Sequence, residues 1–295
     1  MQSQELEVKN LINGVWKESS SRQTIQVVSP ADSGKVIGTT QLSEISDVQE
    51  AFESAQASFG KWSGTPSLER GKLLFKAAEL IQTDIDQLSR LLTLEEGKTL
   101  SESRGEVQRA VDIFRFYGGQ AARLKGDTFP TSVSRSFFYS FREALGVVSI
   151  LTPWNFPIAI PSWKIAPALV CGNSIVFKPA SKTPLIAFEL VRILQSAGFP
   201  AGVLNFVTGS GESIGNEMVT NEKVDAISFT GSYDVGAGIY ELRGDNTQKM
   251  IRVQLEMGGK NPTFVDQYAD LAKAVQIVTP GAFGLQGRLA LRRAG

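Results

Sequence analysis

The chain has 295 residues, 42% of them hydrophobic, enough for two domains or one large α/β domain around a substantial core. Its 30 basic and 30 acidic side chains cancel, which gives no electrostatic reason to expect a nucleic acid or an anionic membrane as partner. Histidine is absent and Cys171 is the single cysteine, so an intrachain disulfide, a cysteine-cluster or histidine zinc site, and any Ser-His or Cys-His nucleophile pair are excluded.

The polar start Met1-Gln2-Ser3-Gln4-Glu5 lacks the layout of a signal peptide, and no apolar run reaches membrane-spanning length, so a soluble cytoplasmic protein is expected. From Asn13-Gly14-Val15-Trp16 to Val36-Ile37-Gly38, short β-type runs alternate with turn signals such as Ser29-Pro30 and Asp32-Ser33-Gly34. Helical spacing then takes over. Val48, Ala51, Phe52, Ala55 and Phe59 share one face of a helix beginning at Ser46-Asp47, and the pattern continues over 67–80, 83–94 and a long helix over 100–124 ended by Gly126. The stretch 131–143, which contains Phe137-Phe138-Tyr139-Ser140-Phe141, is β-prone without helical spacing and reads as an arm or edge strand.

Beyond the arm, strands over 146–151, 174–178, 204–207 and 226–229 alternate with helices over 158–169, 184–197, 212–219 and 233–242. Strands separated by helices at this spacing predict right-handed β-α-β crossovers and an open parallel sheet, with ligands at its carboxyl edge.

Several strand ends carry chemistry. Leu151-Thr152-Pro153-Trp154-Asn155-Phe156-Pro157 sets an asparagine amide between two prolines on a strand-to-helix turn, where an oxyanion donor belongs. An ordinary proline-bracketed turn is the plainer reading. Lys178-Pro179-Ala180-Ser181 places a lysine and a serine after an apolar strand, and Gly209-Ser210-Gly211-Glu212-Ser213-Ile214-Gly215 opens a helix whose N–H groups suit a pyrophosphate. Phe229-Thr230-Gly231-Ser232 repeats that arrangement, and Glu256-Met257-Gly258-Gly259 ends a strand with a carboxylate. Taken singly, Lys178 also reads as a solvated lysine, 209–215 as a loop, and Glu256 as an exposed carboxylate.

In this order the motifs resemble the aldehyde dehydrogenase superfamily over residues 11–283, most of all its semialdehyde-oxidising members. The resemblance implies an open parallel Rossmann-like sheet with flanking helices and a β arm. It divides the chain into a dinucleotide-binding domain (1–130 and 146–256), an oligomerisation arm (131–145), and the truncated start of a catalytic domain with an atypical tail (257–295). Asn155 then falls on the oxyanion donor and Glu256 on the general base. Thr152, Pro153, Trp154, Lys178, Ser181, Gly211, Gly215, Gly231, Ser232 and Met257 fall where the family contacts its dinucleotide. Ser181 stands where NAD-preferring members often carry a glutamate that repels a 2′-phosphate. With Lys178 and Lys182 nearby, NADP is the favoured cofactor and NAD the alternative. A small-molecule aldehyde is the implied substrate, and homodimers or homotetramers the implied assembly. Succinate-semialdehyde enzymes often carry an Arg-Lys pair after the oxyanion asparagine; Trp163-Lys164 here leans toward ketoglutarate semialdehyde or another aldehyde.

The family reaction needs a cysteine thiolate to attack the aldehyde. The corresponding distance from Glu256 lands on Ala290, and the match fails after Gly287, which points to a reading-frame change or truncated gene. Cys171, between a helix and an apolar strand, reads as a buried small hydrophobe and not as a substitute nucleophile. An inactive chain is therefore expected, a family member by descent, with a non-catalytic dinucleotide-binding remnant or a decayed gene product as the alternative.

Overall fold

The computed structural model describes residues 5–246, 249–284 and 293–294. Its N-terminal β runs enter two different sheets. Strand β1 (Leu6–Glu7) pairs parallel with β5 (Asp32–Gln41), which pairs antiparallel with β4 (Thr24–Ser29). Between them, β2 (Asn10–Ile12) and β3 (Val15–Lys17) form a hairpin closed by Asn13-Gly14. Both turn residues have positive φ, 51° and 77°, as a two-residue turn matched to the twist of the strands requires.

Four helices follow: α1 (Ile45–Ser63), α2 (Ser67–Thr83), α3 (Ile85–Glu96) and α4 (Leu100–Gln120). Gly97 ends α3 in the left-handed region at φ 89°, and a side chain there would also run into Pro30. The next helix starts at once, with Thr99 and Glu102 forming a capping box. This sharp turn carries Lys98 into the interior.

The arm is shorter than the sequence suggests. Only β6 (Thr128–Phe129) and β7 (Phe138–Tyr139) pair, antiparallel and two residues each, and Phe137, Phe138, Tyr139 and Phe141 are all exposed. With no core beneath it, the rest of the β-prone stretch has no ladder to join.

The main sheet is built from β8 (Val147–Leu151), β9 (Ser174–Lys178), β10 (Leu204–Phe206), β11 (Ala226–Gly231) and β12 (Arg252–Met257), linked by α5 (Ala159–Val170), α6 (Pro184–Ala197), α7 (Gly211–Thr220) and α8 (Tyr233–Asn246). The strand order is β12-β11-β8-β9-β10-β2-β3, and the first five are parallel. The expected open parallel sheet is therefore present, but the N-terminal hairpin extends it antiparallel through β2 and β10.

Strand periodicity sorts the core into two layers. Val148, Ile150, Ile175 and Phe177 face the layer containing α2 to α6, whereas Val147, Val176, Ile227 and Phe229 face α1, α7 and α8. The last elements, β13 (Asn261–Pro262), α9 (Leu271–Phe283) and β14 (Arg293–Ala294), lie beyond the main sheet, and α9 buries none of its residues. Among the described residues, no helix is long and apolar enough to cross a membrane.

Candidate functional site

The chain lays β8, β9 and β10 in one direction and then returns to place β11 and β12 on the other side of β8. The order reverses between β8 and β11, and a crevice opens beyond the carboxyl ends of the strands at such a point. A cleft of about 490 Å³ lies there. Its polar end holds Thr152, Lys178, Gly211 and Gly215, and its apolar wall holds Val219, Val235, Ile239 and Leu242 of α7 and α8.

Three glycines border this cleft. A Cβ added at Gly211, Gly215 or Gly238 would meet no protein atom within 4 Å, and none of the three has a positive φ. Neither sterics nor backbone conformation requires glycine, and Gly215 and Gly238 in helix interiors each cost about 1 kcal/mol relative to alanine. They leave open space against the backbone, a cradle a side chain would fill.

Lys178 is 6% exposed. Its ammonium donates to Pro179 O at 3.2 Å, and burial lowers its pKa to about 8. A buried cation at the end of a strand, beside an open cleft, is poised for an acceptor supplied from outside.

A groove of about 460 Å³ is lined by Trp154, Ser181, Lys182, Val28, Glu95 and Glu96, among others. Lys182 Nζ stands 5.9 Å from the Trp154 ring, and the Ser181 hydroxyl donates to Gly209 O at 2.9 Å. That bond ties the turn after β9 to the loop before α7. Ser210 caps α7 by accepting from Ser213 N at 3.0 Å.

Gly231, Ser232 and Met257 lie one strand further across. Ser232 begins α8 by accepting from Val235 N at 3.4 Å. A Cβ at Gly231 would strike the Phe229 ring, and one at Gly236 would strike Met257 Sδ. None of these residues lines the cleft, though Gly231 lies against Phe229, which does. Pro153 is half-buried in the turn after β8.

The Asn155 turn is held by a cluster that sequence reasoning missed. Lys98 Nζ donates to Asn155 O at 2.9 Å and lies 4.8 Å from the Phe156 ring. The same ammonium pairs with Glu106 at 2.5 Å and Glu96 at 3.6 Å, all three side chains being at most 2% exposed. Glu106 accepts from Ile158 N and Ala159 N, at 3.0 and 3.1 Å, so it caps α5. Glu95 does the same for α6 through Leu185 N and Ile186 N, at 2.6 and 2.9 Å. Burial pushes Glu95 up to about 8 against those two donors, with Glu96 adding to the rise. Neither helix has a side-chain cap at its own N-cap position.

Lys164 is a second missed residue. Its ammonium donates to Ser228 Oγ at 3.0 Å and Phe229 O at 3.1 Å. Burial lowers its pKa to about 8, opposed by attraction to the Glu256 carboxylate. Glu256 is exposed at the end of β12, in register with Thr230. Lys164 thus reaches from α5 to β11, where its charge is felt by the Glu256 carboxylate of the neighbouring strand. Cys171 is half-buried against the core, and burial raises its thiol pKa despite Arg70 and Arg142. Ala290 lies outside the described residues.

The fold is thus doubly wound α/β, with a cleft at the switch point and an amide-bearing turn beside it. Residues 16–292 match the aldehyde dehydrogenase family, and the chain belongs to it. It is 45% identical over 280 residues to the α-ketoglutarate semialdehyde dehydrogenase of Haloferax volcanii, a match covering 95% of this chain and 58% of that protein. The structure of PnpE in complex with nicotinamide adenine dinucleotide superposes with a TM-score of 0.92 at 36% identity, covering 97% of this chain and 58% of that one. An NADP-dependent enzyme of E. coli gives a TM-score of 0.92 at 34% identity, covering 96% and 58%. The chain therefore spans a little under three-fifths of the relatives it matches.

Proposed function

We propose that this chain binds a nicotinamide dinucleotide, NADP in preference to NAD, in the cleft between α7 and α8. The reaction of its lineage is then oxidation of a semialdehyde to a carboxylate at the Asn155 turn. The observation that carries this reading is the cleft at the switch point, bordered by Gly211, Gly215 and Gly238, where the missing side chains leave room against the backbone. Val219, Val235 and Ile239 offer an apolar slot for a flat base, and Lys178 offers donors to ribose or phosphate oxygens. Lys182 beside Ser181 adds a cation on the side where a 2′-phosphate is expected, which supports NADP. Trp154 and Pro153 on the turn after β8, with Gly231, Ser232 and Met257 one strand further across, are the proposed contacts of the part of the dinucleotide that extends beyond the cleft.

When bound, the dinucleotide supplies the hydride acceptor. Asn155 supplies an amide N–H for the aldehyde oxygen, and Lys98 and Glu106 hold the turn that carries it. Glu256 takes a proton from water, and the Lys164 ammonium lies within its electrostatic reach. Residues 1–130 and 146–256 form the dinucleotide-binding unit, 131–145 the oligomerisation arm, and the segment from 257 on the start of the catalytic unit. Cys171 is remote from this chemistry in character, and Ala290 offers no thiol, so this chain does not turn aldehydes over.

Calorimetric titration with NADP and with NAD tests the binding claim. Saturable binding, tighter for NADP, is expected, and no saturable heat with either overturns it. Incubation with NADP and α-ketoglutarate semialdehyde is expected to yield no NADPH; formation at an appreciable rate overturns the claim of inactivity.

A further inference from the structure

We infer that two copies of this chain pair arm to arm, β7 against β7 in antiparallel sense, about a two-fold axis that passes Tyr139. The inference rests on the reading of residues 131–145 as an oligomerisation arm and names what that arm meets. Phe137, Phe138, Tyr139 and Phe141 are between 50% and 73% exposed. Phe137, Tyr139 and Phe141 form a file on one face, with successive ring centres 5.6 and 6.0 Å apart. A contiguous row of exposed rings marks a surface that meets another chain.

The backbone shows which edge is open. Successive residues of a strand turn their N–H and C=O groups to opposite edges. Ser140 N donates to Asp127 O at 2.8 Å, so the backbone groups of Ser140 and Phe138 face β6. Those of Phe137, Tyr139 and Phe141 therefore face the other edge, where β7 pairs with no strand among the described residues. A two-stranded ribbon is marginal by itself, and a second copy joined at this edge makes it four-stranded.

The sequence around Tyr139 is suited to meeting itself. An antiparallel pair centred there sets Tyr139 opposite its own counterpart and Phe137 opposite Phe141 of the partner subunit. These are the residues whose backbone groups are free, so each can exchange its N–H and C=O with the residue facing it. The rings of both copies then lie on one face and pack across the strands. At each end the same register sets Arg135 opposite Glu143 of the partner subunit, and both positions are exposed. Arg135 belongs to the turn that opens the strand, in which Ser136 N donates to Val133 O at 3.3 Å. A register centred on Phe138 or Ser140 also uses the free edge, but it sets Arg135 opposite Phe141 or Leu145 and leaves Glu143 facing Val133 or Phe137. Only the Tyr139 register is complementary in both rings and charges, as a contact between identical surfaces requires.

Sedimentation velocity over a range of concentrations reads the dimer, and oxidative cross-linking in a Cys171→Ser background reads the register. Residues opposite each other in a hydrogen-bonded pair have Cα atoms about 5.5 Å apart, within reach of a disulfide. Tyr139→Cys should therefore cross-link two copies, whereas Phe138→Cys, about 6.8 Å out of register with its counterpart, should not. Arg135→Glu should weaken dimerisation about tenfold, and adding Glu143→Arg should restore it. A chain that stays monomeric at every concentration, or a dimer that survives Phe137→Ser combined with Phe141→Ser, overturns the arm reading and this inference with it. A dimer abolished by those two substitutions that cross-links through Phe138→Cys and not Tyr139→Cys, or that Arg135→Glu leaves equally tight, overturns the Tyr139 register and leaves the arm reading standing.

Discussion

Gly215 looks unremarkable beside Lys178, yet it is the more telling residue. A buried lysine can be explained within a protein by a partner, and Lys178 has Pro179 O. Gly215 has no neighbour and no positive φ, like Gly60, Gly105, Gly119 and Gly244, but unlike them it borders the cleft. Gly215→Ala should therefore raise thermal stability, by about 1 kcal/mol, while weakening NADP binding in calorimetry. Loss of both together would show that the glycine serves the fold, and a gain in stability with NADP affinity undiminished would show that it serves neither. The glycine-rich segment 209–215 was legible in the sequence as a helix-opening loop. What sequence could not supply was the difference between glycines that nothing crowds, such as Gly215, and those wedged against a ring, such as Gly231 against Phe229. That difference depends on tertiary neighbours.

At the scale of elements, α5 and α6 were visible from their apolar spacing, but what holds their N-termini was not. Capping signals are sought within a few residues of a helix start, and here the carboxylates come from Glu106 and Glu95, 52 and 90 residues away. Both caps are buried charges or buried acids, which are costly to leave unpaired. Lys98→Met should destabilise the chain by roughly 3–5 kcal/mol, because Glu106 and Glu96 would lose their cation. Adding Glu106→Gln to that variant should recover part of the loss, since an amide oxygen still accepts from Ile158 and Ala159 without a charge to bury. Chemical denaturation of the two single variants and the double variant measures the coupling. Purely additive losses would show that the pair is not acting as one unit. The arm shows the opposite case, in which β propensity over 131–143 was legible but only two residues found a partner strand.

For the whole molecule, strand and helix alternation predicted a parallel sheet but could not give its order, because either side of β8 was open to each new strand. The reversal that makes the cleft, and the capture of the N-terminal hairpin by β10, are settled by packing. The buried ionisable groups also give the molecule a pH signature. Glu95, raised from 4.5 to about 8, favours folding below pH 4.5, and this contribution is lost as pH rises toward 8. Lys164 and Lys178, lowered from 10.5 to about 8, favour folding above pH 10.5, and their contribution is lost as pH falls toward 8. Together these groups place a stability minimum near pH 8. Melting temperatures across the pH range should show it, and Glu95→Gln should flatten the acid-side slope; an unchanged slope would remove Glu95 as its cause. The reversal in strand order has a kinetic consequence too. Thr152 and Lys178 are laid down well before Val219, Val235 and Ile239, and the two groups meet only once β11 docks on the far side of β8. Contacts so distant along the chain close late, so ligand capture would report completion of folding and not its early stages.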